Sequence, residues 1–562
     1  NLISQSTGRE PDYYLKRLSS TANFVYLERN LKRDKVEGLI DQRIPGLVVD
    51  RKFRRSYPHT YVGSQIIGFT DVDDNGLTGI EKEFNAFLSG TNGWVVKQVN
   101  GDGKSQIKTS FPIKPPLDGA NIQLTIDLEY QSILQEELAR QMANAQAKGA
   151  MGILMNPQTG TILAMATLPD FNPNLPGSSP MENQKNRIVT DQFEPGSTFK
   201  VVAATAAVAT KTVSLFDEFY CEDGQFTVAG KIITDHEKFG LLTFPQIIAH
   251  SSNVGTIKIA QKLGQKPLYK YSRDFGFGTN TGIRFPGEVQ GVLRQTKDWS
   301  EMSLAEVSIG YEVAVTALQL ASAYSAIANG GILLKPRLVK QILSPNGKVV
   351  YKESPEVIRR VASKEIMSTI TDILVQVVKS GTGTKAEIQG WSVAGKTGTA
   401  HKFIDGVYSK NKYISNFAGF FPADNPQVVC VIVLDEPRYG LHWGGYGAAP
   451  VFRRVVQRII NMDDSIQYHR PKKAIQNPLY ASVSPKNESI LLPLATVAPY
   501  QKYTDGYTVV PDVRGMSIRK AKQILLSSKM RVSFKGSGTV VWQSPKPGTK
   551  KLPGSLCTMG LN

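Results

Sequence analysis

The sequence has few of the residues that hold disulfide scaffolds or metal clusters. Its 562 residues include 3 cysteines and 6 histidines. Cys221, Cys430 and Cys557 lie far apart and form no C-x-x-C pair, and H-E-x-x-H does not occur. This distribution argues against a disulfide framework, a zinc ribbon and a zinc-protease site. We therefore expect no metal and no other cofactor.

Long apolar runs and internal repeats are also missing. The longest smooth apolar stretch, Val201–Ala209, is far shorter than the ~20 residues that a membrane helix needs. No repeat of about 20 to 50 residues is visible, which excludes solenoids and propellers. The length and the 41% content of hydrophobic residues instead favour a folded protein of three or four domains.

The chain is basic, because 66 lysines and arginines outnumber 48 aspartates and glutamates, which gives a net charge of +18. Such an excess suggests an anionic partner. The basic groups are short, scattered and not interleaved with aromatic residues, at Lys32-Arg33, Arg51–Arg55, Arg470–Lys473 and Lys546–Lys551. A groove for single-stranded nucleic acid needs basic and aromatic residues together. Nucleic acid is therefore not an expected partner.

Composition divides the chain into four parts. Within residues 1–118, the stretch from Gly38 to about Leu117 alternates short β-like runs, such as Gly46–Val49 and Trp94–Val96, with Gly and Asn turns, which predicts an elongated β-rich module. Residues 119–465 have the pattern of one large α/β domain. Residues 466–506 lack periodicity and hold several prolines, so we interpret them as a linker. Residues 507–562 form the last part.

The large domain is predicted to contain a sheet flanked by helices. Leu128–Ala147 is rich in helix-forming residues and follows Asp127, a suitable N-cap. Gly152–Ala166 and Asn416–Leu434 each contain two β-like runs around a turn, which predicts antiparallel hairpins. Because helical sequence separates the hairpins, we expect a mixed sheet in which the first and last strands lie together.

The C-terminal part is predicted to be a compact module of one helix and three strands. Ser517 can cap a helix whose apolar stripe consists of Ile518, Ala521, Ile524 and Leu525. Runs divided by Gly and Pro turns predict strands at Met530–Phe534, Thr539–Gln543 and Ser555–Met559. A module of roughly 55 residues has a marginal core but can fold alone.

The first candidate catalytic pattern is S-x-x-K, in which serine and lysine share one helix face. Ser197 and Lys200 form one copy, which follows Glu194-Pro195-Gly196 and opens an Ala-rich apolar run. A serine at the start of a buried helix has backbone N–H groups around it. The other copies lie in polar, turn-rich or surface-like sequence, at Ser105–Lys108, Ser409–Lys412 and Ser517–Lys520. Context therefore favours Ser197 and Lys200.

Two further patterns follow in order along the chain. Ser251-Ser252-Asn253 fits S-x-N, as do the segments that begin at Ser344 and Ser409. Lys396-Thr397-Gly398 is the only K-T-G in the sequence. The apolar residues before it predict a strand, in which Gly398 would let a ligand approach the backbone closely. The order and separation of the three patterns favour a single site.

These residues carry a family resemblance. The segments Ser197–Lys200, Ser251–Asn253 and Lys396–Gly398 resemble the three active-site motifs of penicillin-binding proteins, serine acyltransferases related to class A β-lactamases. Further segments are similar to the pedestal and catalytic domain of the class B transpeptidases and to a PASTA module, at Arg54–Pro58, Gly76–Glu81, Asp118–Asp127, Asn156–Pro173, Gly381–Thr384, Val510–Val513 and Gly515–Ser517.

The resemblance implies a multidomain α/β (α+β) architecture. Residues 1–118 are expected to form the pedestal, of the dimerisation type. Residues 119–465 are expected to form the transpeptidase domain, with a central antiparallel sheet flanked by helices. The linker over residues 466–506 would then connect this domain to one αβββ PASTA module over residues 507–562.

The resemblance also implies catalytic roles. Ser197 is the expected nucleophile and Lys200 its base, with Lys396 as the second cation that lowers the pKa of Lys200. Ser251 is expected to pass the proton to the leaving amine, and Asn253 to hold the substrate amide.

Substrate binding and inhibition follow from the same resemblance. Lys396 and the hydroxyls of Thr397 and Thr399, on either side of Gly398, are expected to attract the terminal carboxylate. The backbone N–H groups of Ser197 and Thr399 would form the oxyanion hole. The expected donor is a peptidoglycan stem peptide that ends in D-Ala-D-Ala, and β-lactams are expected covalent inhibitors.

The family further implies a place and partners in the cell. The catalytic part is expected outside the cytoplasmic membrane, held by an N-terminal anchor that is absent from this sequence. Expected partners are a SEDS-type glycosyltransferase, contacted through the pedestal, and divisome or elongasome proteins.

Other functions stay open at this point. A D,D-carboxypeptidase or β-lactamase would use the same motifs with water as the acceptor, and a non-enzymatic wall-binding or β-lactam-sensing scaffold would use the PASTA-like tail. Gly390–Thr397 also fits the phosphate-binding P-loop pattern, but we expect a strand there instead of the helix that a P-loop opens.

One segment departs from the family pattern. Ser308–Tyr311 matches it, but Glu312 and Ala317 stand where glycine and proline are expected, so the start of the following helix can differ. His401, close to Thr399, is a candidate for the wall of the cleft. We interpret the remaining central histidines, His236 and His250, as polar framework residues.

Overall fold

The computed structural model describes residues 2–463, 465–466, 507–535 and 539–561, apart from residues 30, 32, 43, 51, 102–104 and 107–110. The predicted linker lies outside the described residues except for Ile466. The basic groups Lys32-Arg33, Arg51–Arg55 and Arg470–Lys473 lie wholly or partly outside them, as does Lys108.

The N-terminal part contains short helices and very short strands. Its helices are α1 (Leu2–Thr7), α2 (Pro11–Leu18), α3 (Arg33–Asp41), α4 (Ser64–Ile67), α5 (Gly79–Glu83) and α6 (Asn85–Leu88). Its strands pair as β1 (Trp94–Val95) with β4 (Ile113–Lys114) and β2 (Gln98–Val99) with β3 (Ser105–Gln106). The predicted run Gly46–Val49 forms no strand, and Gly46 lies in a turn with φ 80°. The described pedestal is therefore more helical than the predicted β-rich module.

The large domain alternates helices and strands along the chain. Its helices are α7 (Leu128–Ala145), α8 (Arg187–Thr190), α9 (Lys200–Ala209), α10 (Phe244–His250), α11 (Asn253–Leu263), α12 (Gln265–Asp274), α13 (Ser303–Ser308), α14 (Ala317–Ala328), α15 (Lys364–Lys379), α16 (Gly444–Gly447) and α17 (Ala449–Met462). Asp127 caps α7 as predicted, since its side chain accepts hydrogen bonds from the N–H groups of Glu129 and Tyr130.

Most strands of this domain are short and lie outside the central sheet. They are β5 (Asn121–Leu124), β6 (Gly149–Met155), β7 (Ile162–Leu168), β8 (Glu218–Tyr220), β9 (Gln225–Val228), β10 (Lys231–Thr234), β11 (Leu241–Thr243), β12 (Val292–Leu293), β13 (Val313–Ala314), β14 (Ile332–Leu334), β15 (Val339–Leu343), β16 (Val349–Lys352), β17 (Val357–Arg360), β18 (Ala394–Ile404), β19 (Val407–Phe421) and β20 (Val428–Asp435).

The central sheet has five strands in the order β18-β19-β20-β6-β7. The two predicted hairpins lie side by side, because β20 pairs with β6. All neighbours are antiparallel, so the family expectation is confirmed and the expectation of a mixed sheet is wrong. Hairpins join consecutive strands directly, and the helices between them cover the faces of the sheet instead of linking parallel strands.

The sheet is buried on both faces. In β20, Val431 and Val433 belong to the larger apolar core with α9, α14 and α15, whereas Ile432 and Leu434 belong to a second core with α7 and α17. Because side chains alternate along a strand, a strand covered on both faces is apolar throughout. This position explains the continuous apolar run of β20.

The C-terminal module contains β21 (Thr508–Val509), α18 (Ile518–Ser527), β22 (Arg531–Lys535), β23 (Val540–Ser544), β24 (Lys550–Lys551) and β25 (Leu556–Leu561). Ser517 caps α18 as predicted, since its side chain accepts from the N–H of Lys520. The three predicted strands correspond to β22, β23 and β25, each of which begins one residue later than predicted. None of the described helices of the chain is long and apolar enough to cross a membrane.

Candidate active site

Ser197 lies in a single helical turn, Gly196–Phe199, that continues directly into α9. Gly196 has φ 56°, and a Cβ atom on it would lie 2.6 Å from the carbonyl oxygen of Thr399. Only glycine fits this close approach in a left-handed conformation. The turn is therefore packed against strand β18, which places the backbone of the candidate nucleophile beside Thr399.

Lys200 is completely buried at the start of α9. Its Nζ donates hydrogen bonds of 2.6 Å to the carbonyl oxygen of Ser251, 2.8 Å to Oδ1 of Asn253 and 3.3 Å to Oγ of Ser251. The first and second sequence patterns are thus joined through one ammonium group. In this arrangement Lys200 Nζ has Ser251 and Asn253 as its partners.

Lys396 joins the third pattern to the second. It is completely buried in strand β18, and its Nζ donates hydrogen bonds of 2.8 Å to Oγ of Ser251 and 3.3 Å to the carbonyl oxygen of Thr397. The Ser251 hydroxyl therefore lies between the Nζ atoms of two lysines that come from distant parts of the chain. The structure brings Lys200, Ser251, Asn253 and Lys396 into one cluster, next to the turn that holds Ser197.

Burial changes the protonation of both lysines. Loss of water contact lowers the pKa of Lys200 to about 7, although the carboxylate of Asp235 opposes this change. Burial also lowers the pKa of Lys396 well below its ordinary value, and the nearby charge of Lys200 lowers it further. Since an ammonium in low dielectric is destabilised by a second cation, the pair readily holds a neutral lysine near pH 7. Such a lysine can accept a proton.

Asp235, which sequence reasoning missed, holds the second pattern in place. Its carboxylate accepts a hydrogen bond of 2.6 Å from the Ser252 hydroxyl and further bonds from the backbone N–H groups of Asn253 and Val254. These N–H groups begin α11, where a carboxylate is favourable. Asp235 lies 17 residues before Ser252, and no pattern in the sequence links the two.

Thr397 and Thr399 lie along β18 with new partners beside them. The Thr397 hydroxyl hydrogen-bonds with that of Thr382 at 2.7 Å, and the Thr399 hydroxyl accepts from the N–H of Gly444 at 3.0 Å. Thr382 lies in the segment Gly381–Thr384 that resembles the family, but no role was predicted for it or for Gly444. Thr397 and Thr399 both follow Lys396 along the same strand.

Gly398 has a structural reason for lacking a side chain. A Cβ atom there would lie 2.4 Å from Oδ1 of Asn416 and 2.6 Å from the carbonyl oxygen of Pro195. The atoms that come close to the Gly398 backbone are those of Asn416 and Pro195, whereas the sequence analysis predicted the approach of a ligand. Lys396 and Thr397 lie inside strand β18, so no helix begins after them. The P-loop alternative lacks the helix N-terminus that binds phosphate.

The departure from the family pattern has a visible consequence. Glu312 adopts φ 54°, a left-handed conformation that glycine enters without strain, which explains why glycine is expected there. Its N–H donates to Oε1 of Glu194, three residues before Ser197, and its carboxylate binds Arg294. Helix α14 nevertheless begins at Ala317 behind a capping box.

His401 lies in the same strand as the third pattern. Its Nδ1 is 2.8 Å from the carbonyl oxygen of Ser409, and its ring lies 4.6 Å from that of Tyr413. The ring of His236 lies 6.3 Å from that of Trp443 and 5.7 Å from that of Phe239. His401 thus has aromatic and backbone neighbours, whereas His236 packs against aromatic rings, and burial together with the charges of Lys200 and Lys396 lowers its pKa.

Three known families match separate parts of the chain. The penicillin binding protein transpeptidase domain matches residues 150–457, the penicillin-binding protein dimerisation domain matches residues 1–124, and the PASTA domain matches residues 508–556. The chain belongs to the class B penicillin-binding proteins. The family resemblance that the three motifs indicated is confirmed.

Individual relatives agree with this assignment. Stage V sporulation protein D of Bacillus subtilis is 33% identical over 94% of this chain and 78% of that protein. Peptidoglycan D,D-transpeptidase FtsI of Escherichia coli K12 is 33% identical over 78% of this chain and 72% of that protein. A crystal structure of penicillin-binding protein 3 from Mycobacterium tuberculosis, complexed with aztreonam, has a TM-score of 0.64 at 30% identity, over 72% of this chain and 90% of that one.

These findings also confirm the predicted fold and enzyme class. This penicillin-binding protein is a serine D,D-transpeptidase of peptidoglycan synthesis and a target of β-lactams. This assignment replaces the P-loop hypothesis and the hypothesis of a non-enzymatic scaffold.

Proposed function

We propose that this penicillin-binding protein crosslinks stem peptides through an acyl-enzyme on Ser197, with Lys200, Ser251, Asn253 and Lys396 as its catalytic partners. The observation that carries this proposal is the position of the Ser251 hydroxyl, 2.8 Å from Nζ of Lys396 and 3.3 Å from Nζ of Lys200. Three segments that are distant in sequence supply the groups that acyl transfer needs.

In the first half-reaction, Ser197 Oγ attacks the carbonyl carbon of the penultimate D-Ala. The hydroxyl proton passes to neutral Lys200, the O–C bond forms, and the C–N bond to the terminal D-Ala breaks. Ser251 passes a proton from the ammonium groups to the leaving amine, so D-Ala departs with its nitrogen protonated. Asn253 holds the amide of the donor strand in line.

In the second half-reaction, an amine of a neighbouring stem peptide attacks the ester carbonyl. The new C–N bond forms, the ester C–O bond breaks, and the proton from the amine returns to Ser197 Oγ through Lys200. The enzyme is thereby restored and the two stems are crosslinked. Water in place of the amine would hydrolyse this ester and give carboxypeptidase activity, and hydrolysis of the corresponding ester formed from a β-lactam would give β-lactamase activity.

The remaining site residues bind the two negative charges of the reaction. Lys396 and the hydroxyls of Thr397 and Thr399 attract the terminal carboxylate of the donor. Gly398 keeps strand β18 close to the turn Gly196–Phe199 that holds Ser197. The N–H groups of Ser197 and Thr399 form the oxyanion hole for the tetrahedral oxygen. Loss of one donor of such a hole costs about 3–4 kcal/mol.

A fluorescent penicillin tests the nucleophile directly. The protein should form a covalent adduct that peptide mapping by mass spectrometry places on Ser197, and Ser197→Ala should abolish it. Ser409→Ala, in another S-x-x-K segment of the same chain, is the matched control and should label normally. Labelling of Ser197→Ala at the parental rate would refute the proposed nucleophile.

The acceptor is tested with a D-Ala-D-Ala stem peptide and an added stem-type amine. We expect crosslinked product to form at the expense of hydrolysed peptide as the amine concentration rises. Hydrolysis that stays unaffected by the amine would identify a carboxypeptidase instead.

We infer that the chain is divided in the way that composition indicates. Residues 1–118 form the pedestal, residues 119–465 the transpeptidase domain, residues 466–506 the linker and residues 507–562 the PASTA module. The family matches, over residues 1–124, 150–457 and 508–556, support this division.

We further infer that the protein acts outside the cytoplasmic membrane as a membrane-anchored enzyme, with a SEDS-type glycosyltransferase and divisome or elongasome proteins as partners. Exposed apolar side chains on the pedestal support a protein partner there, because Phe53 is 97% exposed and Val48 is 74% exposed. Co-purification of the anchored protein with such a glycosyltransferase tests this proposal. Phe53→Asp should weaken the complex without affecting acylation of Ser197.

A further inference from the structure

Helix α18 of the C-terminal module lies directly against the large domain. Ile518, the first residue of the helix, is 9% exposed and belongs to the apolar core that α7 and α17 form with the central sheet. Leu561, in the last strand, packs against that core and against the module's own core. The two domains therefore share apolar contacts as well as a chain connection.

Arg519, the next residue of α18, makes the polar part of this contact. Its guanidinium donates hydrogen bonds of 2.6 Å to Oδ2 of Asp463, 2.7 Å to Oδ2 of Asp127 and 3.2 Å to Oε2 of Glu129. It also lies 5.4 Å from the centre of the Tyr130 ring. One side chain thus binds the N-terminal end of α7 and the C-terminal end of α17 together.

The three carboxylates form an acidic patch, here defined as Asp127, Glu129 and Asp463. Within the described part of the chain, the ion pairs of this patch come from Arg519 and from Lys522, which lies 3.7 Å from Glu129. The large domain itself supplies a neutral donor, the Tyr130 hydroxyl, at 2.6 Å from Asp463. Asp463 is the most buried of the three, with its side chain 6% exposed.

This charge distribution is one-sided. A buried carboxylate is favourable only with partners, and removal of its cation leaves a desolvated negative charge. Among the described residues, the acidic patch therefore gains its cations only when the C-terminal module is in place. Arginine suits this position better than lysine, because its planar fork can bind several carboxylates at once.

We propose that the acidic patch is the docking site of the C-terminal PASTA module on the transpeptidase domain, and that Arg519 is the residue that holds the module there. In the docked position Ile518, Arg519 and Lys522 are occupied by the large domain. This face of α18 is closed to any wall ligand until the module is released. The inference goes beyond D,D-transpeptidation and does not depend on the assignment of Ser197.

Reversal of one charge in the full chain tests the docking. Small-angle scattering should show a larger radius of gyration for Arg519→Glu than for the parent. Hydrogen exchange should become at least tenfold faster at the C-terminal end of α17 and along α18. Lys535→Glu, an equal charge change at an exposed position of the same module, is the matched control and should leave both measurements unchanged.

Salt provides a second measurement on the parent protein. At about 1 M NaCl, where the Debye length is ~3 Å, the partly exposed ion pairs of Arg519 with Asp127 and Glu129 are screened, whereas its pair with the buried Asp463 is screened much less. The radius of gyration of the parent should therefore move part of the way toward that of Arg519→Glu, whose own value should change little with salt. Asp463→Asn, which keeps a partner for Tyr130, should fall between the two.

Other results would overturn the proposal. If Arg519→Glu and Arg519→Ala matched the parent in scattering and exchange, the module would be held without the acidic patch. If the module unfolded in both variants while the hydrogen-exchange rate of α17 stayed the same, Arg519 would have a role only within the module. Penicillin acylation is measured in parallel, and its loss in the parent would count against the proposed function alone.

Discussion

Lys396 Nζ donates a hydrogen bond of 2.8 Å to the hydroxyl of Ser251, although the two residues are 145 positions apart in the chain. The same hydroxyl lies 3.3 Å from the ammonium of Lys200, and both lysines are completely buried. Two cations this close repel each other strongly away from water, so the pair favours one neutral member. The Ser251 hydroxyl then connects a proton donor to a proton acceptor.

Removal of this hydroxyl should slow acylation. Ser251→Ala breaks the connection between the two lysines and leaves each with one acceptor fewer. We expect the second-order rate of reaction with a fluorescent penicillin to fall by about 10²–10⁴-fold, as for loss of general acid–base catalysis. Ser344→Ala, in another S-x-N segment, is the control and should react normally. An unchanged rate for Ser251→Ala would remove Ser251 from the mechanism.

Acylation should depend on pH through Lys200. Because burial lowers the pKa of Lys200 to about 7, the neutral base predominates above that pH and is lost below it. The second-order rate of acylation should therefore rise with pH and level off above about 7. Burial also raises the pKa of Glu194 to about 7, so this carboxyl titrates in the same range. Glu194→Gln should keep the rise, and its disappearance in that variant would assign the titration to Glu194.

The same shift has a consequence for stability. In the unfolded chain Lys200 regains a pKa near its ordinary value of 10.5, so between about pH 7 and 10 the unfolded state binds more protons. Stability of the transpeptidase domain should then rise with pH across this window, until other groups titrate. Thermal unfolding of the parent and of Lys200→Met across this range checks the sign. The rise should be smaller in Lys200→Met.

The sequence indicated the candidate catalytic residues, but it did not indicate the residues that hold them in position. Ser197, Lys200 and Lys396 stand in short patterns whose order is informative, and Asp127 and Ser517 were recognisable as helix caps from their neighbours. Asp235 gave no such signal, since its partners Ser252 and Asn253 lie on another element and only folding brings them together. Local patterns report local structure, whereas positioning residues act across the fold.

The predictions of a strand at Gly46–Val49 and of a mixed sheet were wrong for a related reason. The run Gly46–Val49 has strand-like residues, but a strand also needs a partner, and none of the described residues supplies one there. The mixed sheet was inferred from helical sequence between two hairpins, and that pattern does not tell a crossover from a covering layer. The pairing of β20 with β6 decided the matter.

Asp235 should prove to be a positioning residue. Asp235→Asn weakens the bonds to Ser252 and to the N–H groups at the start of α11, which should cost about 1–3 kcal/mol of stability. Because the Asp235 charge raises the pKa of Lys200, its removal should also move the rise in acylation rate to lower pH. Asp223→Asn, an exposed carboxylate of a neighbouring loop, is the control. A loss of stability without a shift in the pH profile would limit Asp235 to a structural role.

Gly398 should tolerate no side chain. Gly398→Ala places a Cβ atom 2.4 Å from Oδ1 of Asn416 and 2.6 Å from the carbonyl oxygen of Pro195. Strand β18 and the turn Gly196–Phe199 must therefore separate. Overpacking of this kind costs about 1–3 kcal/mol, and acylation should slow because Thr399 moves away from Ser197. Calorimetry and penicillin labelling measure the two effects. Gly38→Ala, with no atom within 4 Å of its Cβ, should instead stabilise helix α3 slightly. Normal acylation by Gly398→Ala would show that the contact between strand and turn is not needed for the chemistry.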